Sequence, residues 1–312
     1  MPNYQGVWSL STQYQNAGAW PSPPATAIYA GGYLSGSINV IESVLIADSG
    51  NTSDFGDLTV ARRFLAGMSS STRGVFAGGG ASASNVIDYV TIATAGNAID
   101  FGDTTSAMDE GYAGGFGSES RGIYAGGYQS SVAINNMEYV TIASTGNGTD
   151  FGNLSQARTG NSSGFCSPTR GGLGGGNTGS RVDTIDYVTI ASTGNASDFG
   201  NLTEAKDGVG GTSSSIRGIF AGGFNSGEKT RIEYITIAST GNATTFGDLS
   251  AAARPACTSD NITALIMGDI TGDTSGIEKI TIASTGNATD FGDLTADKSQ
   301  GDAVSNAHGG LS

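Results

Sequence analysis

Aspartates three residues apart recur along the chain and are the first residues that could do chemistry. They stand at Asp54 and Asp57, at Asp100 and Asp103, and at Asp290 and Asp293. Carboxylate oxygens suit Ca²⁺, but that ion takes roughly six to eight oxygens, more than one such pair supplies. We therefore interpret the aspartates as turn-capping residues of a hairpin, and we predict neither a metal site nor a cofactor.

Catalysis has few side chains to use in this sequence. His308 is the single histidine, and Cys166 and Cys257 are the two cysteines. No serine, histidine and aspartate pattern accompanies His308, and no cysteine and histidine cluster has the spacing of zinc ligands. We expect both cysteines to be reduced in a packed interior. The sequence therefore predicts no catalytic residue, and we expect that the protein is not an enzyme.

Four arginines share one position of a repeat, five residues before a glycine that ends a strand. They are Arg73, Arg121, Arg170 and Arg217, and two further copies have Thr26 and Thr263 there. Such arginines could form a ring for an anionic ligand on one face. Because the chain is rich in acidic residues, we instead expect them to pair with carboxylates at neighbouring turns.

The repeat itself contains about 47 residues and occurs six times. Its most regular segment reads IDYVTIASTGNASDFGNLTEAK from Ile185 and IEKITIASTGNATDFGDLTADK from Ile277. The phenylalanine of this segment recurs at separations of 46, 50, 48, 47 and 45 residues. The six residues are Phe55, Phe101, Phe151, Phe199, Phe246 and Phe291. A period of this length is typical of β-propeller blades.

Each repeat predicts four strands, named a to d from the axis outward. Strand b ends in Gly-Gly, strand c is rich in β-branched residues, and a Gly-Asn turn leads to strand d. Strand a falls in segments of small residues, namely 64–70, 111–118 and 160–167. Small side chains suit strands that crowd around an axis. The sequence thus predicts an all-β fold, a six-bladed propeller of four-stranded blades with the six phenylalanines between blades.

A strand from the C-terminal end of the chain is predicted to close the ring. Residues 301–308 align with strand a, and the ring otherwise lacks this strand in blade 1. Prolines at positions 21, 23 and 24 make the segment before blade 1 a poor strand. We therefore divide the chain into an N-terminal arm, residues 1–24, and a propeller, residues 25–312.

Charge and hydropathy exclude several classes of function. The net charge is −14, so we expect no nucleic-acid partner. No apolar run approaches the roughly 20 residues of a membrane span, and we expect no membrane insertion. The first residues have neither the basic nor the apolar region of a secretion signal, so we expect no secretion signal and synthesis in the cytoplasm.

The repeats resemble kelch repeats. The shared features are Gly-Gly at the end of strand b, an aromatic residue in strand d and a following Ala-Arg, as at Ala61-Arg62 and Ala157-Arg158. The sequence has phenylalanine where kelch strand d has tryptophan, and its strand c tyrosines fall earlier, so the likeness is to a divergent kelch-like propeller. The strings TRGVFAGG and IASTGNATDFGDLT also resemble repeats in virion and tail-fibre-like proteins of marine bacteriophages.

The second resemblance implies a virion structural protein, located in the particle as part of a tail, fibre or capsid. The arm would anchor it to other virion proteins, and we name Trp8, Tyr14 and Trp20 as the candidate contacts. Loops between strands b and c would bind a host-surface receptor or a glycan, because these loops differ between blades. Their candidate residues are Arg181, Asp183, Asn225, Glu228, Lys229 and Arg231. The alternative is a bacterial kelch-like module for protein interaction or carbohydrate binding.

Overall fold

The computed structural model describes residues 23–80, 84–108, 114–160, 164–270 and 275–311. They form six four-stranded antiparallel sheets arranged around one axis as a six-bladed β-propeller. The predicted fold class is therefore confirmed. Within the described residues, no helix is long and apolar enough to cross a membrane.

Each blade is written from strand a, nearest the axis, to strand d at the rim. Blade 1 consists of β26 (Asp302–Ser305), β1 (Thr26–Ala30), β2 (Val40–Leu45) and β3 (Ser53–Asp57). Blade 2 consists of β4 (Ala66–Ser69), β5 (Arg73–Ala77), β6 (Ser84–Thr91) and β7 (Ile99–Met108). Blade 3 consists of β8 (Gly114–Gly117), β9 (Arg121–Ala125), β12 (Asn136–Thr141) and β13 (Thr149–Asn153). Blade 4 consists of β14 (Phe165–Cys166), β15 (Arg170–Gly174), β16 (Thr184–Thr189) and β17 (Ser197–Asn201). Blade 5 consists of β18 (Gly210–Ser213), β19 (Arg217–Ala221), β20 (Lys229–Thr236) and β21 (Thr244–Ala253). Blade 6 consists of β22 (Ala256–Ser259), β23 (Thr263–Met267), β24 (Gly276–Thr281) and β25 (Thr289–Asp293).

Two small elements complete the fold. In blade 3 the loop between strands b and c contains a hairpin of β10 (Tyr128–Gln129) and β11 (Val132–Ala133). After β26 the chain forms a short 3₁₀ helix, Gly309–Leu311. Neither element was predicted, because both are too short to leave a periodic pattern.

The predicted closure is confirmed. β26 pairs with β1 in an antiparallel ladder that runs from Ala27 opposite Ser305 to Ala30 opposite Asp302. Blade 1 therefore combines residues from both ends of the propeller. Of the predicted arm, only Pro23 and Pro24 belong to the described residues, and they are not part of a strand. Trp8, Tyr14 and Trp20 lie outside the described residues.

The inner strands are shorter than predicted, and their small residues are required by crowding. β4 begins at Ala66 rather than at Phe64, because Phe64 has a positive φ of 60° that belongs to a turn. A Cβ atom on Gly115 would collide with the backbone carbonyl of Gly67 in the neighbouring blade. Such close approach of inner strands explains why strand a is rich in glycine, alanine and serine.

Each pair of neighbouring blades shares one apolar core. The cluster between blades 1 and 2, for example, joins Ile28 and Phe55 to Phe76 and Val90. All six repeat phenylalanines are buried, with at most 5% of their surface exposed. The predicted position of these rings between blades is thereby confirmed.

The turn between strands c and d joins each blade to the rim of the preceding blade. Gly96 donates to the carbonyl of Phe55 at 2.7 Å, and the Asn97 side chain accepts from the Asp57 N–H at 3.1 Å. The same contact is made by Asn51, Asn97, Asn147, Asn195, Asn242 and Asn287. The backbone N–H of Asp57 is thus bonded by an asparagine of the next blade, and the capping role of the aspartate side chains stays a prediction. This ring of bonds covers the outer strand of every blade, which would otherwise be an open edge.

Candidate functional site

The propeller has two faces of different character. The turn face carries the a–b and c–d turns, and the loop face carries the b–c loops and the d–a connections, because neighbouring strands are antiparallel. The asparagine contacts described above use much of the turn face for joining blades. The loop face is where the sequence differs from blade to blade, and the predicted binding residues lie there.

Two of the predicted residues meet on the loop face, between blades 4 and 5. Arg181 lies 3.0 Å from the carboxylate of Asp207 and 4.5 Å from the centre of the Phe224 ring. Arg254 lies 4.3 Å from the same ring centre and 3.9 Å from Glu228. We call these five residues the Phe224 cluster. It brings Arg181 and Glu228 together through residues that the sequence did not single out.

Lys229 and Arg231 lie at the border of blade 5 with blade 4. The Lys229 ammonium is 3.6 Å from Glu204, and the Arg231 guanidinium donates to the Thr203 hydroxyl at 3.4 Å. Both partners belong to the segment that leaves blade 4. These two predicted residues therefore connect blades, and they do not contact the Phe224 ring in the way that the arginines of the cluster do.

Asp183 and Asn225 take part in loop geometry through their backbones. The Asp183 carbonyl accepts from the Leu202 N–H at 2.7 Å, and the Asn225 N–H donates to the Gly227 carbonyl at 2.9 Å. The structure does not bring either side chain into the Phe224 cluster.

Sequence reasoning missed Phe224, Asp207 and Arg254. Phe224 follows the Gly-Gly of strand b, and Tyr33 has the same position in blade 1, with the Arg63 guanidinium 4.9 Å from its ring centre. The available signal was topological, since d–a connections share a face with b–c loops. Arg254 and Asp207 both stand on such connections.

The Phe224 cluster offers hydrogen-bond donors beside an aromatic ring. The side chains of Arg181 and Arg254 are each 32% exposed, so part of each side chain faces solvent. A guanidinium has five N–H donors in a planar fork, which suits carboxylate and paired hydroxyl acceptors. The arrangement can bind such groups without a covalent step.

Among the described residues, the repeated arginines of the turn face pair with no carboxylate, and the predicted pairing was wrong. The Arg73 guanidinium lies 4.6 Å from the centre of the Tyr89 ring in its own blade and donates to the Ile142 carbonyl of the next blade at 3.0 Å. The remaining three repeat this arrangement, as Arg121 with Tyr139 and Ile190, Arg170 with Tyr187 and Ile237, and Arg217 with Tyr234 and Ile282. These arginines join neighbouring blades, and no anion is needed to explain them.

A carboxylate of strand c is buried at every blade interface. The six are Glu42, Asp88, Glu138, Asp186, Glu233 and Glu278, and each accepts hydrogen bonds from a serine or threonine of the preceding blade. Four also pair with a buried cation of that blade, as Lys298 with Glu42, Arg62 with Asp88, Arg158 with Asp186 and Lys206 with Glu233. The Ala-Arg that carries the kelch resemblance therefore has a structural role here.

The electrostatics of these interfaces follow from burial. Burial lowers the pKa of Arg62 and of Arg158, and the attraction of their aspartates only partly opposes this shift. Burial by itself would raise the pKa of Glu42, but the ammonium of Lys298 and the hydroxyls of Thr295 and Thr52 outweigh it and lower that pKa. The lowered pKa of Glu42 favours its carboxylate form, which bonds Lys298 of blade 6 across the closure of the ring.

The axis contains the one histidine of the chain beside a cysteine. Cys166 Sγ lies 3.2 Å from His308 Nδ1, which also accepts from the Gly310 N–H at 3.1 Å, and His308 Nε2 donates to the Ser69 carbonyl at 3.0 Å. Burial alone would raise the pKa of the Cys166 thiol, but His308 outweighs it and lowers that pKa. In the same axis, burial raises the pKa of Cys257.

The space around this pair is small. The axial cavity measures about 40 Å³ and is lined by inner-strand residues that include Phe116 and Thr212. This volume accommodates about one water molecule, whereas ligand pockets commonly measure about 300 Å³ or more. The pair therefore anchors the C-terminal segment to the axis, and both cysteines are buried and free, as predicted.

Metal binding and similarity to known proteins are two further aspects of the candidate site. In the part of the chain that the structure describes, no group of three or more histidine, cysteine, aspartate or glutamate side chains could hold a metal ion. No protein-family model matches the chain, and no curated protein sequence matches it significantly.

Proposed function

We propose that this protein is a structural protein of a bacteriophage particle that binds other molecules and catalyses no reaction. Its N-terminal arm joins it to other virion proteins, and its loop face contacts a host-surface receptor, a glycan or a protein. The resemblance of its repeats to virion and tail-fibre-like proteins of marine bacteriophages supports the setting.

The Phe224 cluster is the observation that carries the binding part of this proposal. It places two arginine side chains, each 32% exposed, beside one aromatic ring on the face whose loops differ between blades. Hot spots of protein interfaces are enriched in arginine and aromatic residues. The turn face, in contrast, repeats the same asparagine turn in all six blades and uses it internally.

Binding to host cells tests this proposal. The full-length protein is labelled, and its retention on host cells is measured for the parent and for the double variant Arg181→Ala with Arg254→Ala. We expect the variant to lose at least about tenfold in affinity, as removal of interface hot spots does. The matched control is Arg63→Ala, which removes the same kind of arginine–aromatic contact in blade 1.

Two outcomes would contradict the proposal. One is unchanged retention in the double variant. The other is a reproducible enzymatic turnover, against glycosides, esters or phosphoesters, that a single loop substitution removes.

A further inference from the structure

Two blades lack the arginine–tyrosine pair that joins the other four to their neighbours. Blade 1 has Thr26 and Ser43 at the two positions, and blade 6 has Thr263 and Lys279. Arginine and tyrosine are therefore present together or absent together. The two exceptions are adjacent, and they lie on the turn face where β1 begins.

In blade 6 the missing pair leaves a pocket of about 340 Å³, lined by residues that include Phe246, Thr263, Lys279 and Asn287. We call it the blade-6 pocket. The Lys279 ammonium donates to the Ser49 hydroxyl at 2.7 Å, and it pairs with no carboxylate among the described residues. The pocket thus presents a cation where blades 2 to 5 present a tyrosine ring.

Two exposed isoleucines stand on the turn face of the blades that form the blade-6 pocket, although neither lines it. Ile216 and Ile262 are 68% and 66% exposed and stand on the a–b turns of blades 5 and 6. Blades 2, 3 and 4 have Thr72, Ser120 and Thr169 at this position. At this turn position, exposed isoleucines therefore occur in the two blades whose residues line the pocket.

The described part of the chain begins beside blade 6. Ala25 packs against the apolar cluster between blades 6 and 1, which includes Leu265 and Ile277. The Pro24 carbonyl accepts from the Asn306 side chain at 3.1 Å, so the chain enters on the turn face. The preceding residues, 1–22, contain no Asp, Glu, Lys or Arg, and their aromatic residues are Tyr4, Trp8, Tyr14 and Trp20.

We propose that Trp20 docks on the turn face of its own propeller, with its ring in the blade-6 pocket against the Lys279 ammonium. Trp20 precedes Pro24 by four residues, which an extended chain spans in about 14 Å. The Lys279 ammonium already lies 5.5 Å from the centre of the Phe291 ring, and an indole ring in the pocket would give it a second aromatic neighbour. An uncharged segment also avoids repulsion by a chain whose net charge is −14.

This inference is independent of the proposed function. The residues before Trp20 remain available to contact a virion protein when Trp20 is docked. Particle incorporation and Trp20 docking are measured separately, so one can fail without the other.

Tryptophan fluorescence tests the docking directly, because both tryptophans of the chain lie in this segment. The variant Trp8→Phe leaves Trp20 as the only tryptophan of the full chain. We expect its emission to lie at a short wavelength and to be protected from acrylamide. Adding Thr263→Arg and Lys279→Tyr recreates the pair of blades 2 to 5 and fills the pocket. Trp20 should then emit at a longer wavelength and be quenched several times more strongly.

The matched control introduces the threonine and lysine of blade 6 into another blade. Arg170→Thr with Tyr187→Lys removes the pair from blade 4 and should leave the Trp20 emission unchanged, with circular dichroism confirming the fold of each variant. Docking is overturned if Trp20 is quenched like a free indole before the pocket is filled, or if filling the pocket changes nothing. A protection that disappears on dilution assigns the segment to a second copy and overturns docking on its own propeller.

Discussion

Within the described residues, four of the six blade interfaces bury a cation beside the strand c carboxylate, and two do not. The interfaces between blades 2 and 3 and between blades 5 and 6 have Met108 and Ala253 where the others have Arg62, Arg158, Lys206 and Lys298. These two interfaces lie on opposite sides of the ring. They differ from the others in backbone as well as in charge.

At the four interfaces with a cation, strand d ends before the position of the cation, and the side chain of the cation extends to the carboxylate of the next blade. The Arg62 guanidinium, for example, donates to the carbonyls of Gly78 and Val86, both at 2.7 Å. At the other two interfaces strand d is ten residues long, as in β7 and β21. Its last residue pairs with strand c of the same blade, with Ser84 opposite Met108 and Lys229 opposite Ala253.

The carboxylates without a cation receive neutral donors. Glu138 accepts from the Tyr124 and Thr105 hydroxyls and from the Asn136 amide, and Glu278 accepts from Ser250. Burial and the neighbouring Glu138 raise the pKa of Tyr124, so this phenol remains a donor. The buried carboxylate of the repeat therefore has two kinds of partner. Where strand d is short, a cation pairs with it, and where strand d is ten residues long, neutral donors bond it.

The largest effect is expected where a cation and the ring closure coincide. Deleting residues 296–312 removes β26 and Lys298 together, so β1 loses its inner partner and Glu42 loses its cation. Because an unpaired strand edge recruits other chains, we expect aggregation and a strongly lowered melting temperature. Light scattering and thermal unfolding measure both. An unchanged melting temperature with a monodisperse protein would show that β26 does not close the ring.

A second test converts one kind of interface into the other. Arg158→Met gives the interface of blades 3 and 4 the residue that blade 2 has at Met108, but without the longer strand. The buried Asp186 then has no cation, and we expect a loss of about 3–5 kcal/mol in the free energy of unfolding, measured with urea. The control, Arg158→Met with Asp186→Asn, should recover part of this loss. A loss below about 1 kcal/mol in the single variant contradicts the comparison.

The smallest expected effect is a pH dependence specific to the interfaces with a cation. The folded-state pKa of Glu42 lies below its ordinary value of 4.5, so its carboxylate stabilises the fold above that pH. This stability is lost as the pH falls through the lowered folded-state pKa. We expect Glu42→Gln to be less stable at neutral pH and to unfold with a weaker pH dependence below pH 4.5. Equal slopes for parent and variant would exclude Glu42 as a source of acid sensitivity.

The sequence predicted the architecture because the repeat is visible in its strongest strands. Residues 301–308 could be assigned to blade 1 because they align with a segment that the other blades contain. The arginine–tyrosine pairs could also have been found, since Arg73 and Tyr89 recur together in four blades and are absent together in two. Their partners, such as the Ile142 carbonyl, could not, because a backbone atom of another blade leaves no signal in residue types.

The Phe224 cluster was only half predicted for a related reason. Arg181 and Glu228 stand in loops that differ between blades, and this difference is visible in the sequence. Arg254 and Asp207 stand on connections after strand d, and their meeting with Phe224 depends on the rotation between two blades. That rotation is set by packing of the whole ring, which no local pattern reports.

The pairing of β26 with β1 also determines when the protein can finish folding during synthesis. Thr26 and its partner Asn306 are separated by 280 positions. A ribosome adds roughly 5–20 residues per second, so β1 waits about 14–56 s for the strand that completes its sheet. Blades 2 to 6 each contain four strands in order and can form as they emerge. Throughout this interval the nascent chain has one incomplete blade, and slow translation or crowded polysomes would lengthen its exposure to neighbouring chains.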